Sequence, residues 1–211
     1  MSKIFKAAFL ACAGLILGTT AAYADSIGPD CGSCQGSIYT LDFVPALSDL
    51  KPSDGKFDTW LVTLTIDTTG YTGGGTHIDE VAVKISSGVD QATLISAPDG
   101  LSNWTLIPGG ISASGCNGSG SGFECADWVG TGFASVIPGA TLQWVFQIDI
   151  SGPVFSFDGS TELPSIKARY VDDSGNKVGA LVSEKVPEPG TLALLGAGMA
   201  VAAVRRRRAR A

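Results

Sequence analysis

The sequence predicts an all-β chain: one antiparallel β-sandwich, jelly-roll or immunoglobulin-like, between an N-terminal signal helix and a short C-terminal hydrophobic helix. Three observations carry this. Apolar and polar residues alternate at period two through the middle of the chain, and turn-forming clusters separate the alternating runs. No stretch between the two ends keeps a helical period over three turns.

Trp60, Val62, Leu64 and Ile66 alternate with Thr63, Thr65 and Asp67. Val81, Val83 and Ile85 form a shorter run of the same kind. Leu142, Trp144, Phe146, Ile148 and Ile150 alternate with Thr141, Gln143, Gln147 and Asp149. Each run reads as a strand with one face inward and one wet. Loops are expected at 69–75, 97–100 and 108–110, where Gly, Pro and Asp gather. The turn Asp172-Asp173-Ser174-Gly175-Asn176 should join strands 165–171 and 177–183 as a hairpin. The run 115–122, nearly all Gly, Ser, Cys and Asn, reads as an irregular loop. Eight to ten short strands at this spacing make a sandwich.

The ends are targeting segments. Lys3 and Lys6 precede an uncharged stretch, Ala7 to Gly18, and Ala22-Tyr23-Ala24 offers the small-x-small pattern that signal peptidase accepts. Residues 1–24 are therefore expected as a signal peptide, with the mature chain starting at Asp25. The apolar part is shorter than the ~20 residues of a spanning helix.

At the other end, Pro187-Glu188-Pro189 leads into an uncharged segment, 191–204, and then Arg205, Arg206, Arg207 and Arg208. The prolines keep the backbone extended. The apolar segment suits a short membrane helix, and the arginines should stay cytoplasmic. The body is then 25–184 and the tail 185–211. Lys3, Lys6, Lys185 and the arginines at 205–208 and 210 are eight of the 14 basic residues, whereas 19 of the 20 acidic ones lie in the body, leaving a formal charge of −13 there. Nucleic acid, which rewards clustered Lys and Arg, is excluded as a partner.

The tail resembles the PEP-CTERM sorting signal of Gram-negative bacteria, in which the same three parts follow in order. The resemblance implies transient recognition by exosortase after transient contact with signal peptidase. It also implies an inner-membrane intermediate held by the C-terminal helix, then release to the cell surface or the extracellular polysaccharide matrix. The body, with its opening Cys-x-x-Cys-x-Gly-Ser and later Gly-Cys-Asn-Gly-Ser-Gly-Ser-Gly-Phe-Glu-Cys, resembles proteins of that class and brings no activity with it.

Four cysteines follow the leader: Cys31, Cys34, Cys116 and Cys125. An even count in an exported chain reads as disulfides, and the pairing 31–34 with 116–125 is favoured over a link between the N-terminal segment and the Gly/Ser run. Redox or zinc use of Cys31 and Cys34 lacks the following helix and the second close pair. His77 is the single histidine, and no nucleophile motif accompanies it. Asp79-Glu80 and Asp172-Asp173 are neighbours in sequence, so on strands they should point to opposite faces and make no glycosidase pair. Asp172, Asp173 and Asn176 could meet calcium, but the spacing is not that of an EF-hand. Trp60 and Trp144 read as core. Trp104 and Trp128, near loops, are candidate ligand contacts. The expectation is a non-catalytic, structural body needing no cofactor or metal. A carbohydrate-binding module for secreted exopolysaccharide is the alternative, and a secreted hydrolase is a third reading.

Overall fold

In strand β3 (Thr59–Asp67) the side chains of Val62, Leu64 and Ile66 are buried, with half-buried residues between them. This is the period-two pattern of the sequence realised as a half-buried strand. The computed structural model describes residues 23–118, 120–132, 139–155, 162–179 and 182–185. The expected signal helix, including Ala22, lies outside these residues, as do the sorting motif Pro187, Glu188 and Pro189, the hydrophobic helix and the arginines Arg205 to Arg208. Among the described residues no helix is long and apolar enough to cross a membrane.

The remaining strands are β1 (Tyr23–Ile27), β2 (Ile38–Pro45), β4 (His77–Lys84), β5 (Val89–Ser96), β6 (Trp104–Pro108) and β7 (Gly110–Ser112). They continue as β8 (Gly115–Gly118), β9 (Phe123–Trp128), β10 (Thr141–Ile150), β11 (Ser165–Val171) and β12 (Val182–Lys185). Two five-stranded antiparallel sheets pack face to face, in the orders β1-β2-β3-β10-β5 and β12-β11-β4-β9-β6. The β-sandwich is therefore as expected. Strand β1 includes Tyr23 and Ala24, the last two residues of the expected signal peptide; Ala24 pairs with Asp42.

The core forms where the two inward faces meet. Leu41, Phe43, Leu64 and Ile66 from the first sheet join Val81, Val83, Ala168 and Tyr170 from the second. Full burial of an aliphatic or aromatic side chain is worth about 1.5–3 kcal/mol each, so this shared interior is the main source of stability. Trp144 is completely buried, as expected; Trp60 is half-buried against Phe43, with ring centroids 5.9 Å apart.

Two sequence expectations are corrected. The run 115–122 does not form a wholly irregular loop, because Gly115–Gly118 is strand β8, paired with β7 as a two-stranded ribbon. The composition that suggested a loop instead lets backbone approach the sheet closely. A Cβ on Gly115, where φ is +119°, would sit 2.8 Å from Glu80 Oε1. The second strand of the C-terminal hairpin also starts later than residue 177. Lys177 makes one isolated bridge to Val171, and among the described residues regular pairing with β11 runs over Val182–Lys185, with Val182 opposite Ala168.

Candidate functional site

Both disulfides follow the favoured pairing. Cys31–Cys34 closes a tight turn over the core, where Cys34 is fully buried and its N–H donates to the Cys31 carbonyl at 3.1 Å. Ser33, inside that turn, donates to Glu184 Oε1 at 2.6 Å and so ties the N-terminal turn to β12. Cys116–Cys125 pins β8 to β9. With Ala82 and Ile111 they form a small second apolar cluster on the outer face of the second sheet.

Beneath the β7–β8 ribbon lies a buried charged group. Asp79 and Glu80 do not point to opposite faces, because a β-bulge sets both of them against one stretch of β11. The register passes from Glu80↔Arg169 directly to Ile78↔Tyr170, so Asp79 has no opposite number. Arg169 donates from Nε to Asp79 Oδ1 at 3.0 Å and from Nη2 to Asp79 Oδ2 at 2.6 Å. The same Nη2 lies 2.8 Å from Glu80 Oε1. Burial pushes the Glu80 carboxyl up to about 7 against the opposing pull of Arg169, with Asp79 and Asp127 adding to the rise. Burial also raises Asp127. A guanidinium bonded in fork fashion to one carboxylate and paired with the next holds these acids in place.

The aromatic candidates separate. Trp104 is 6% exposed, and its ring meets Trp128 and Trp144 edge-on at 5.4 Å from each. Its Nε1 donates to the Pro98 carbonyl at 2.8 Å. That leaves Trp104 in the core rather than at a contact surface. The loop signals around it misled the sequence reading, since the residue itself opens β6 and faces inward. Trp128 is half-buried against the core, and its Nε1 donates to the Gly132 carbonyl.

His77 opens β4, nearly buried, with Nδ1 2.8 Å from Thr76 Oγ1 and 3.7 Å from Asp173 Oδ1. In the hairpin turn, Asp172 Oδ1 accepts the N–H groups of Ser174 and Asn176, both at 2.9 Å. These bonds hold the Asp172 carboxyl below its ordinary range. Asp173 accepts the Thr76 hydroxyl at 2.6 Å. Asp172 thus closes its own turn, whereas Asp173 ties the turn to Thr76 beside the start of β4.

Three groups of described side chains come close enough to share a cation. Glu80, Cys116 and Asp127 form one, but the Cys116 sulfur is spent in its disulfide. Asp49, Asp58 and Asp149 form another; Asp54, Asp90 and Asp149 form the third. Sequence reading passed over these. Asp149 looked like an ordinary outward residue of an alternating strand, and its companions are 59 to 100 positions away.

The decisive comparison concerns the stretch that begins on Lys185, the last residue of β12. Residues 185–208 match the PEP-CTERM protein-sorting motif. The chain carries that sorting signal. It supports an exported protein processed by exosortase and sorted toward the cell surface. The PEP-CTERM match covers the tail and leaves the sandwich to be read from its own geometry. We find no match to this chain among curated proteins.

Proposed function

We propose that this PEP-CTERM protein is exported by a Gram-negative bacterium and passes through an inner-membrane intermediate. Exosortase then delivers it to the cell surface or extracellular matrix, where the sandwich acts as a non-catalytic structural domain. The observation that carries the reading is the sorting motif itself, matched over 185–208 from the last residue of β12 onward. The character of the body supports the structural role. Two disulfides suit an oxidising exterior, and the close acids Asp79 and Glu80 are bound to Arg169 rather than presented to a cleft. A carbohydrate-binding role draws less support, because one of its two aromatic anchors, Trp104, is core.

The test is intact mass spectrometry of the protein recovered from the surface and medium of producing cells, with and without the exosortase gene. A species starting at Asp25 and ending within Pro187 to Gly190 is expected, replaced in the deletion strain by a membrane-bound form that keeps Arg205 to Arg208. An identical C-terminus in both strains would overturn the sorting step.

A further inference from the structure

At one end of the first sheet, Asp149 in β10 pairs with Thr59, the first residue of β3. Asp149 belongs to the outward series of its strand, with Gln143 and Gln147, yet it is 0% exposed. Residues 46–58, between β2 and β3, fold back over it. Gln147 Nε2 donates to the Ser48 carbonyl at 2.9 Å, and the Ile150 N–H donates to the Asp58 carbonyl at 3.2 Å. The segment thereby lays Asp49 and Asp58 against Asp149, and one carboxylate oxygen from each residue lies within 4.8 Å of the other two.

The group is short of protons. Thr59 Oγ1 stands 2.9 Å from Asp49 Oδ1 and 2.7 Å from Asp149 Oδ2. A hydroxyl has one proton, so it satisfies one of those carboxylates at a time. The Lys51 N–H donates to Asp49 Oδ1 at 3.0 Å. Asp149 Oδ1 and Asp58 Oδ1 are both buried and accept no hydrogen bond. An ionised oxygen buried without a donor is costly, and proteins answer that cost with a proton or a cation. The nearby Lys51 ammonium is paired with Asp90 at 2.5 Å, at the rim of the group.

We propose that Asp49, Asp58 and Asp149 bind a divalent cation of the calcium class. All three donors are hard carboxylate oxygens, which suit calcium or magnesium rather than zinc or copper. Calcium holds oxygens at roughly 2.4 Å, so its ligands spread up to ~4.8 Å apart, whereas magnesium at ~2.1 Å demands a tighter set. The three oxygens, none more than 4.8 Å from another, lie within the span that one calcium ion can bridge. Burial raises the Asp149 carboxyl, and Asp58 and Asp49 add to the rise. The cation takes the place of the proton that this environment would otherwise retain. Bound there, it ties residues 46–58 to the ends of β3 and β10. The inference stands apart from the sorting reading.

The experiment uses the purified chain with disulfides intact, stripped with a chelator and followed by thermal unfolding and calcium titration calorimetry. Wild type in ~10 mM CaCl2 is expected to gain about 3–10 °C in Tm, given the ~0.1–1 mM affinities of exterior calcium sites. One ion should bind per chain, and MgCl2 should act more weakly. Asp149→Asn and Asp58→Asn should fold without calcium and lose the response, while Asp172→Asn, in the hairpin turn, keeps it. No calcium response in wild type would overturn the proposal in favour of a retained proton. An undiminished response in Asp149→Asn would overturn it in favour of another site.

Discussion

The hydroxyls of Tyr39, on β2 of the first sheet, and Tyr170, on β11 of the second, are hydrogen-bonded to each other inside the sandwich. Tyr170 also donates to Ser37 Oγ at 3.0 Å, and its ring stacks on Tyr71 at 4.7 Å. Burial pushes the Tyr170 phenol up to about 12 and Tyr39 further, so both stay protonated at working pH. Tyr170→Phe removes the shared hydroxyl and strands two buried partners. The expected loss is about 1–3 kcal/mol, read from urea denaturation at unchanged m-value.

Arg169 is the counter-charge for Asp79 and Glu80. Replacing it with Met keeps the stem and removes the charge, leaving buried carboxylates unpaired, at an expected cost of about 2–4 kcal/mol at pH 7. Adding Asp79→Asn and Glu80→Gln to Arg169→Met should recover most of that loss. Comparing Arg169→Met, the Asp79→Asn/Glu80→Gln pair and the triple variant by chemical denaturation reads the recovery; additive losses would mean the network holds little coupling.

Glu124 gives a clean pH probe. It is 4% exposed, and burial alone raises its carboxyl from 4.5 to about 7. The folded state therefore holds this proton more tightly than the unfolded chain does. The resulting stability is full below pH 4.5 and fades as pH rises through about 7. Glu124→Gln, which carries no such proton, should match wild type near pH 4. At pH 8 it should be more stable, by about 1–3 kcal/mol. Parallel Tm curves across that window would contradict the assignment.

The bridge Cys116–Cys125 spans a sequence separation of 9. On the chain-entropy account, Cys116→Ala with Cys125→Ala costs about 2–3 kcal/mol. Amide exchange should speed up first in β7 and β8, the ribbon that this bridge pins to β9.

Trp104→Ala should cost about 3–5 kcal/mol by opening a cavity between Trp128 and Trp144. Trp128→Ala, at a half-buried ring, should cost less. Polysaccharide binding lost in Trp128→Ala at retained Tm would revive the carbohydrate reading; loss only in Trp104→Ala would report unfolding.

Much of this molecule was legible along the chain. The alternating runs at Trp60, Val81 and Leu142 became β3, β4 and β10, because side-chain facing in a strand is set by a two-residue period. The strand 165–171 was read to its ends. What failed did so for non-local reasons. Asp79 joined Glu80 on one face because a bulge slips the register once. Gly115–Gly118 became a strand because a partner ribbon was there to pair with it.

The sequence by itself determined the sorting tail, since Pro187-Glu188-Pro189, the apolar stretch and the arginines act as a linear signal. It also determined the sandwich class, through local alternation. Only the tertiary structure decided which cysteines pair, that Trp104 is core as well as Trp144, and that Asp149 on a nominally wet face is buried beneath residues 46–58. Periodicity reports a residue's neighbours two positions away. Burial on an outer face depends on what folds over it, and for Asp149 those residues lie 91 to 103 positions back along the chain.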